Sequence, residues 1–155
     1  MTEYTPKTTM EWRLQKGTQA KKLAAEFAKI DGHTVKVAKV PVTGGGADDI
    51  AIAWLNPVSA AVIVTRVVVD ITTAGGTSSS VLDIGTAADA DTGSDNLIDG
   101  ANANAVAVYD NVDDQGTNGT AKQKVPAGEY VTGQIKAAAA QDLAGTAYVC
   151  YIPVP

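Results

Sequence analysis

The feature that most constrains the fold is a long β-branched run, AAVIVTRVVVDITT, at residues 60–73. Such residues favour pleated, packed strands over helices. Shorter apolar segments, among them DDIAIAWL, SSVLDI, NAVAVYD and GTAYVCYIPV, alternate with Gly-, Asn- and Asp-rich clusters such as TGGGADD and NVDDQGTNGT. About eight strands separated by turn residues predict an all-β protein, an antiparallel β-sandwich of jelly-roll-like form.

Two of these segments carry further expectations. In DDIAIAWL, alternation places Ile50, Ile52 and Trp54 on one face, which predicts that Trp54 belongs to the core. The long run at 60–73 predicts a central strand that is covered on both faces. Helices do not alternate with strands in the pattern, which argues against a parallel α/β fold.

The N-terminal part differs from the rest of the 155-residue chain. We predict an arm at residues 1–31 and a sandwich domain at residues 32–155. Within the arm, apolar residues at three- and four-residue spacing predict a short helix between Thr18, a suitable N-cap, and Gly32. The same segment could instead lie extended along a neighbour.

Charge is unevenly distributed along a chain of net charge −5. Residues 1–40 hold eight bases against four acids, whereas residues 67–121 hold nine aspartates and no Lys or Arg. A basic arm and an acidic body fit a protein that docks on a partner, and they equally fit two differently solvated faces. The acidic balance argues against duplex nucleic acid as a partner. Without a secretory signal or a run of roughly 20 apolar residues, we expect cytoplasmic synthesis and no membrane partner.

The acidic stretch DIGTAADADTGSDNLIDGANAN, residues 83–104, raises the question of a calcium site. An EF-hand loop needs an oxygen ligand at its fifth position, Gly at its sixth and Glu at its twelfth. Counted from Asp89, those positions hold Gly93, Ser94 and Gly100. We therefore predict a solvated loop that binds no metal tightly, with an irregular site formed by Asp89, Asp91 and Asp95 as the alternative.

Residues for catalysis are sparse. His33 is the single histidine and lies beside a glycine, where a surface or turn position is expected. Cys150 has no basic neighbour in sequence that would lower its pKa, so a structural thiol is expected. No G-x-S-x-G elbow or phosphate-binding loop is present in the sequence. We predict that the protein is not an enzyme and needs no cofactor.

The arm also contains large apolar and aromatic residues among its bases. Tyr4, Met10, Trp12 and Leu14 lie outside any segment with a strand pattern. Such residues can anchor a segment on a partner, or the arm can fold back on its own sandwich. Both alternatives stay open at this level.

Residues 54–154 resemble a group of virion proteins of tailed bacteriophages, the small β-rich proteins of the decoration, cement or head-fibre kind. The resemblance consists of an Asn-Pro before the long strand, the SDNLIDG loop, the DNVDDQGTNG turn, the PAGEYV strand and the terminal YIPV. The first fifty residues lie outside it.

The resemblance implies a structural protein on the outer surface of a capsid, which it would decorate and stabilise. It implies the major capsid protein as partner and a homotrimer as the assembly. The residues expected to contact the capsid or another subunit are Tyr4, Met10, Trp12, Arg13, Leu14 and Phe27 of the arm. The alternative function is a head-fibre or tail-associated adhesion module that binds host-surface carbohydrate.

Overall fold

The computed structural model describes residues 34–76 and 79–154. These residues form nine β-strands and no helix, which confirms the predicted all-β class. The strands are β1 Lys36–Gly45, β2 Ile50–Leu55, β3 Val62–Thr73, β4 Val81–Ala87, β5 Ile98–Asn102, β6 Ala107–Asp110, β7 Gln123–Val125, β8 Tyr130–Lys136 and β9 Ala140–Pro153.

The strands form two antiparallel sheets that pack face to face. One sheet has the order β1-β9-β3-β6, with β7 also paired to β3, and the other has the order β2-β8-β4-β5. Successive strands of the chain thus alternate between the two sheets over much of the fold. This strand order is that of a jelly roll, so the predicted sandwich is confirmed.

Eight of the nine strands lie in segments that the sequence predicted to be strands, β6 and β7 among them. β6 and β7 occupy the place of one strand, because β6 pairs with Val68–Ile71 of β3 and β7 pairs with Val62–Val64 of the same strand. Residues 111–122 form the loop that separates them. The ninth strand, β5, lies inside the acidic stretch that the sequence predicted to be a loop.

The buried side chain of Asn111 lies between β6 and β7, beside the part of β3 that neither strand pairs with. Asn111 has no solvent exposure. Its Oδ1 accepts a hydrogen bond from the Val67 N–H at 2.6 Å, and its Nδ2 donates to the carbonyl oxygens of Thr120 and Ala121 at 3.2 and 2.9 Å. The Asn111 amide therefore ties the 111–122 loop to the centre of β3, where strand pairing is missing.

The core lies between the sheets and consists mainly of Val, Ile, Leu and Ala. Trp54 is buried and its ring lies 4.9 Å from that of Tyr151, centroid to centroid, which confirms its predicted place in the core. The prediction for β3 held only in part. β3 is central, but its outward side is open among the described residues: Ile63 is 38% exposed and Arg66 is also exposed.

Several predictions concern residues outside the described ones. These are the arm at residues 1–31, the short helix between Thr18 and Gly32, and the surface position of His33. The boundary at residue 32 likewise stays a prediction.

Candidate functional site

An acidic loop, residues 88–97, covers part of the outer face of the β2-β8-β4-β5 sheet. Thr132 of β8, on that face, is fully buried, and its hydroxyl donates to the carbonyl oxygen of Thr92 at 2.8 Å. At the far end of the loop, Asn96 accepts from the Thr86 N–H and donates to the Thr86 hydroxyl, both at 2.9 Å. The loop is therefore fixed to β4 and β8 at two points.

Two glycines allow this close contact between loop and sheet. At Gly85 of β4, a Cβ atom would collide with the side chains of Ser94 and Asn96. At Gly93 in the loop, a Cβ atom would collide with the side chain of Gln134. Gly85 and Gly93 thus act here through close packing rather than through a positive φ.

The aspartates of the acidic loop and of β5 accept hydrogen bonds from the protein itself. Asp89 Oδ1 accepts from the Asp91 N–H at 3.0 Å, and a hydrogen bond from Thr92 is the main cause of the lowered pKa of Asp89. Asp95 Oδ2 accepts from Asn118 Nδ2 at 2.9 Å, and Asp99 Oδ2 accepts from the Asn118 N–H at 3.1 Å. The carboxylates therefore order turns and link the loop to the neighbouring 111–122 loop.

Within residues 34–76 and 79–154, no group of three or more His, Cys, Asp or Glu side chains is placed to hold a metal ion. We expect calcium to leave the melting temperature of the protein unchanged, because Asp89, Asp95 and Asp99 already accept protein hydrogen bonds. Calorimetric titration with calcium, together with melting curves with and without chelator, tests this. A fall of several degrees on adding chelator would contradict it.

A cleft of about 220 Å³ lies where the acidic loop meets β4 and β8. Its floor comes from the sheet, where Asp83 and Gln134 are cross-strand partners. Its wall comes from the loop. The lining residues are Asp83, Gly93, Ser94, Asp95, Gln134 and Lys136.

The cleft is lined by side chains of opposite charge. Asp83 Oδ1 accepts from the Gly100 N–H at 2.8 Å, yet partial burial raises the pKa of the Asp83 carboxyl above its ordinary value, and Asp99 and Asp95 add to the rise. Lys136 Nζ lies 2.5 Å from an Asp48 carboxylate oxygen, and this contact raises the pKa of Lys136. The cleft is thus lined by a partly buried carboxylate and by an ammonium group that is paired with Asp48.

The outer face of the other sheet carries a small group of apolar side chains. Val37 of β1, 60% exposed, pairs with Cys150 of β9, and the 38%-exposed Ile63 of β3 pairs with Ile152 of β9. These four residues, here called the outer-face patch, point away from the core, because residues next to them along the strands, such as Val64 and Val149, are buried. No described residue covers Val37 or Ile63 as the acidic loop covers the opposite sheet.

Polar groups border the outer-face patch. Arg66 forms an ion pair with Asp110, and the hydrogen bond from Arg66 holds the pKa of Asp110 below its ordinary value. Lys39 Nζ lies 5.5 Å from the centre of the Tyr148 ring, a cation–π contact. Partial burial raises the pKa of the Cys150 thiol, so the thiol is protonated at neutral pH and is a poor nucleophile.

The structure brings together residues that the sequence did not single out as a site. The contact residues predicted in the arm, Tyr4 to Phe27, lie outside the described residues. The sequence pointed to the acidic stretch but not to its meeting with Gln134 and Lys136, which are about 40 residues further along the chain. The signal available in the sequence for the outer-face patch was the alternation of Val35 and Val37 where β1 begins.

No protein-family model, curated protein or solved structure matches this chain. The described residues contain no helix long and apolar enough to cross a membrane. Fold and surface together define a jelly-roll sandwich with two unlike outer faces, one covered by an acidic loop and one carrying an apolar patch.

Proposed function

We propose that this chain is a structural protein of a tailed-phage virion, which decorates and stabilises the outside of the capsid through protein–protein contacts. The observation that carries the proposal is the outer-face patch. Exposed apolar side chains that adjoin one another on a sheet favour burial against another protein surface. The role needs neither catalysis nor a cofactor.

The contrast between the two sheets supports the outer-face patch as the surface that contacts the capsid. On the β2-β8-β4-β5 sheet, the chain covers Thr132 and Gly85 with its own loop. On the β1-β9-β3-β6 sheet, Val37 and Ile63 remain exposed among the described residues, beside the cationic Lys39. Jelly rolls are frequent in capsid and lectin domains, which is support by analogy of fold alone.

The proposed partner is the major capsid protein, and the proposed assembly is a homotrimer on the virion exterior after synthesis in the host cytoplasm. This part rests on the resemblance in residues 54–154. Arm residues such as Trp12 and Phe27 would add contacts to those of the outer-face patch. Light scattering on the purified protein measures the assembly directly.

A double substitution in the outer-face patch tests the proposed contact. We expect Val37→Glu with Ile63→Glu to reduce binding to capsids at least ten-fold, because two carboxylates would be desolvated in an apolar contact. The measurement is co-sedimentation of the full chain with phage heads that lack this protein. Because both side chains are exposed, melting temperature should change little.

The matched control is Leu55→Glu. Leu55 is exposed like Val37 but lies in β2 of the other sheet. We expect this variant to bind capsids as the unmodified protein does. Unchanged binding by the double variant would refute the assignment of the face, and no binding by the unmodified protein would refute the proposed function itself.

A further inference from the structure

We infer that the cleft between the acidic loop and the β2-β8-β4-β5 sheet binds one sugar unit that carries no negative charge, either a neutral sugar or an amino sugar. The cleft is a second binding site, on the face of the sandwich opposite the outer-face patch. Its ligand class follows from the hydrogen-bonding groups, the charge and the size of the cleft.

The lining groups complement hydroxyl groups, which both donate and accept hydrogen bonds. The carboxylates of Asp83 and Asp95 are acceptors, the ammonium of Lys136 is a donor, and Gln134 and Ser94 can do both. Adjacent sugar hydroxyls need this mixture at close spacing. The two aspartates lie in the cleft, and the charge of Lys136 is paired with Asp48. A ligand carboxylate would therefore meet like charge there, whereas an amino group would be attracted.

The cleft is held in shape by the protein alone. Its loop wall is fixed by the Thr132 and Asn96 hydrogen bonds, and Gln134 Nε2 on its floor donates to the Asp48 carbonyl oxygen at 2.8 Å. A preformed site loses little conformational freedom on binding. Asp83 adds support, because a carboxylate kept where burial raises its pKa costs stability at neutral pH, as is common at functional sites.

Size and lining set the expected affinity. Pockets for drug-sized ligands measure roughly 300–1,000 Å³, so a cleft of about 220 Å³ admits a single sugar unit. None of its lining residues has an aromatic ring for a sugar to stack on. We therefore expect a Kd in the millimolar range for a free monosaccharide, which several copies side by side would strengthen through avidity.

The test is a titration of the isotope-labelled full chain followed by amide NMR, with glucose, glucosamine and glucuronic acid as probes. We expect glucose and glucosamine to cause saturable shifts at Ser94, Gln134 and Lys136. Glucuronic acid should bind at least ten-fold more weakly. Absence of saturable shifts with glucose and glucosamine at tens of millimolar, or equal binding of glucuronic acid, would overturn the inference.

Two matched variants locate the binding. Asp83→Asn keeps an acceptor for the Gly100 N–H but removes the charge, and we expect it to weaken glucosamine binding at least ten-fold. Its melting temperature at pH 7 should be equal or higher, since a partly buried charge is lost, so weaker binding could not reflect unfolding. Asp91→Asn, in the same loop but outside the cleft, should bind as the unmodified protein does. Equal effects of the two variants would refute the site.

The sugar titration uses isolated protein and no capsid, so its outcome is separate from that of the decoration experiment. Failure of capsid binding would leave the cleft untouched. Failure of sugar binding would leave the outer-face patch and its proposed contact untouched.

Discussion

Replacing Asn111 by alanine is expected to lower the free energy of unfolding by about 3 kcal/mol. The amide satisfies the Val67 N–H and the carbonyl oxygens of Thr120 and Ala121 inside the domain, and alanine would leave them without those bonds. Each unsatisfied buried group costs about 1–3 kcal/mol, and partial relaxation of the loop offsets part of the sum. Urea denaturation followed by circular dichroism measures the change, and the melting temperature should fall by roughly 10 °C.

Asn104→Ala is the matched control for this prediction. Asn104 is exposed, and its backbone N–H, which alanine would keep, donates a hydrogen bond to the side chain of Asn102. Its replacement should change stability by no more than about 0.5 kcal/mol. If Asn111→Ala were as mild as this control, the Asn111 amide would not be the group that holds the interrupted strand together.

Trp54→Ala is expected to cost about 3–5 kcal/mol of unfolding free energy. The indole ring is buried between the sheets and packs against Tyr151, so truncation leaves a cavity that the rigid strands around it can fill only in part. The same denaturation experiment gives the free energy, and near-ultraviolet circular dichroism reports the loss of ordered aromatic packing.

Trp54→Phe separates the cavity from the loss of an aromatic contact. Phenylalanine keeps a ring next to Tyr151 and leaves a smaller void, so its cost should be clearly below that of alanine. A loss of under about 1 kcal/mol for Trp54→Ala would show that Trp54 contributes little to the packing of the core, contrary to its burial.

Much of the fold could be predicted because its strands carry a local signal. The β-branched run at residues 60–73 predicted a central strand, and the strand lies between β9 on one side and β6 and β7 on the other. Alternation in β2 placed Trp54 in the core. These patterns are readable because side chains alternate between two environments, a core and a surface, along each strand.

Strand β5 was missed because its residues, IDGAN, have little strand propensity. Its backbone pairs with β4 because the rest of the sandwich brings the two segments side by side. The outer-face patch shows a related limit. Alternation predicts that Val37 lies on one face of a strand. Whether that face is covered depends on which other segments pack there.

By itself the sequence determined the all-β class, the turn positions and the place of Trp54, because each depends on neighbours within a few residues. The tertiary structure alone decided the role of Asn111, whose amide meets a strand 44 residues away, and of Asp83, whose cleft needs Gln134 and Lys136. An Asn in an Asn/Asp/Gly-rich segment looks like any turn residue until its partners are known. Contacts between distant segments are set by the packing of the two sheets, and the local pattern of a strand or turn carries no record of them.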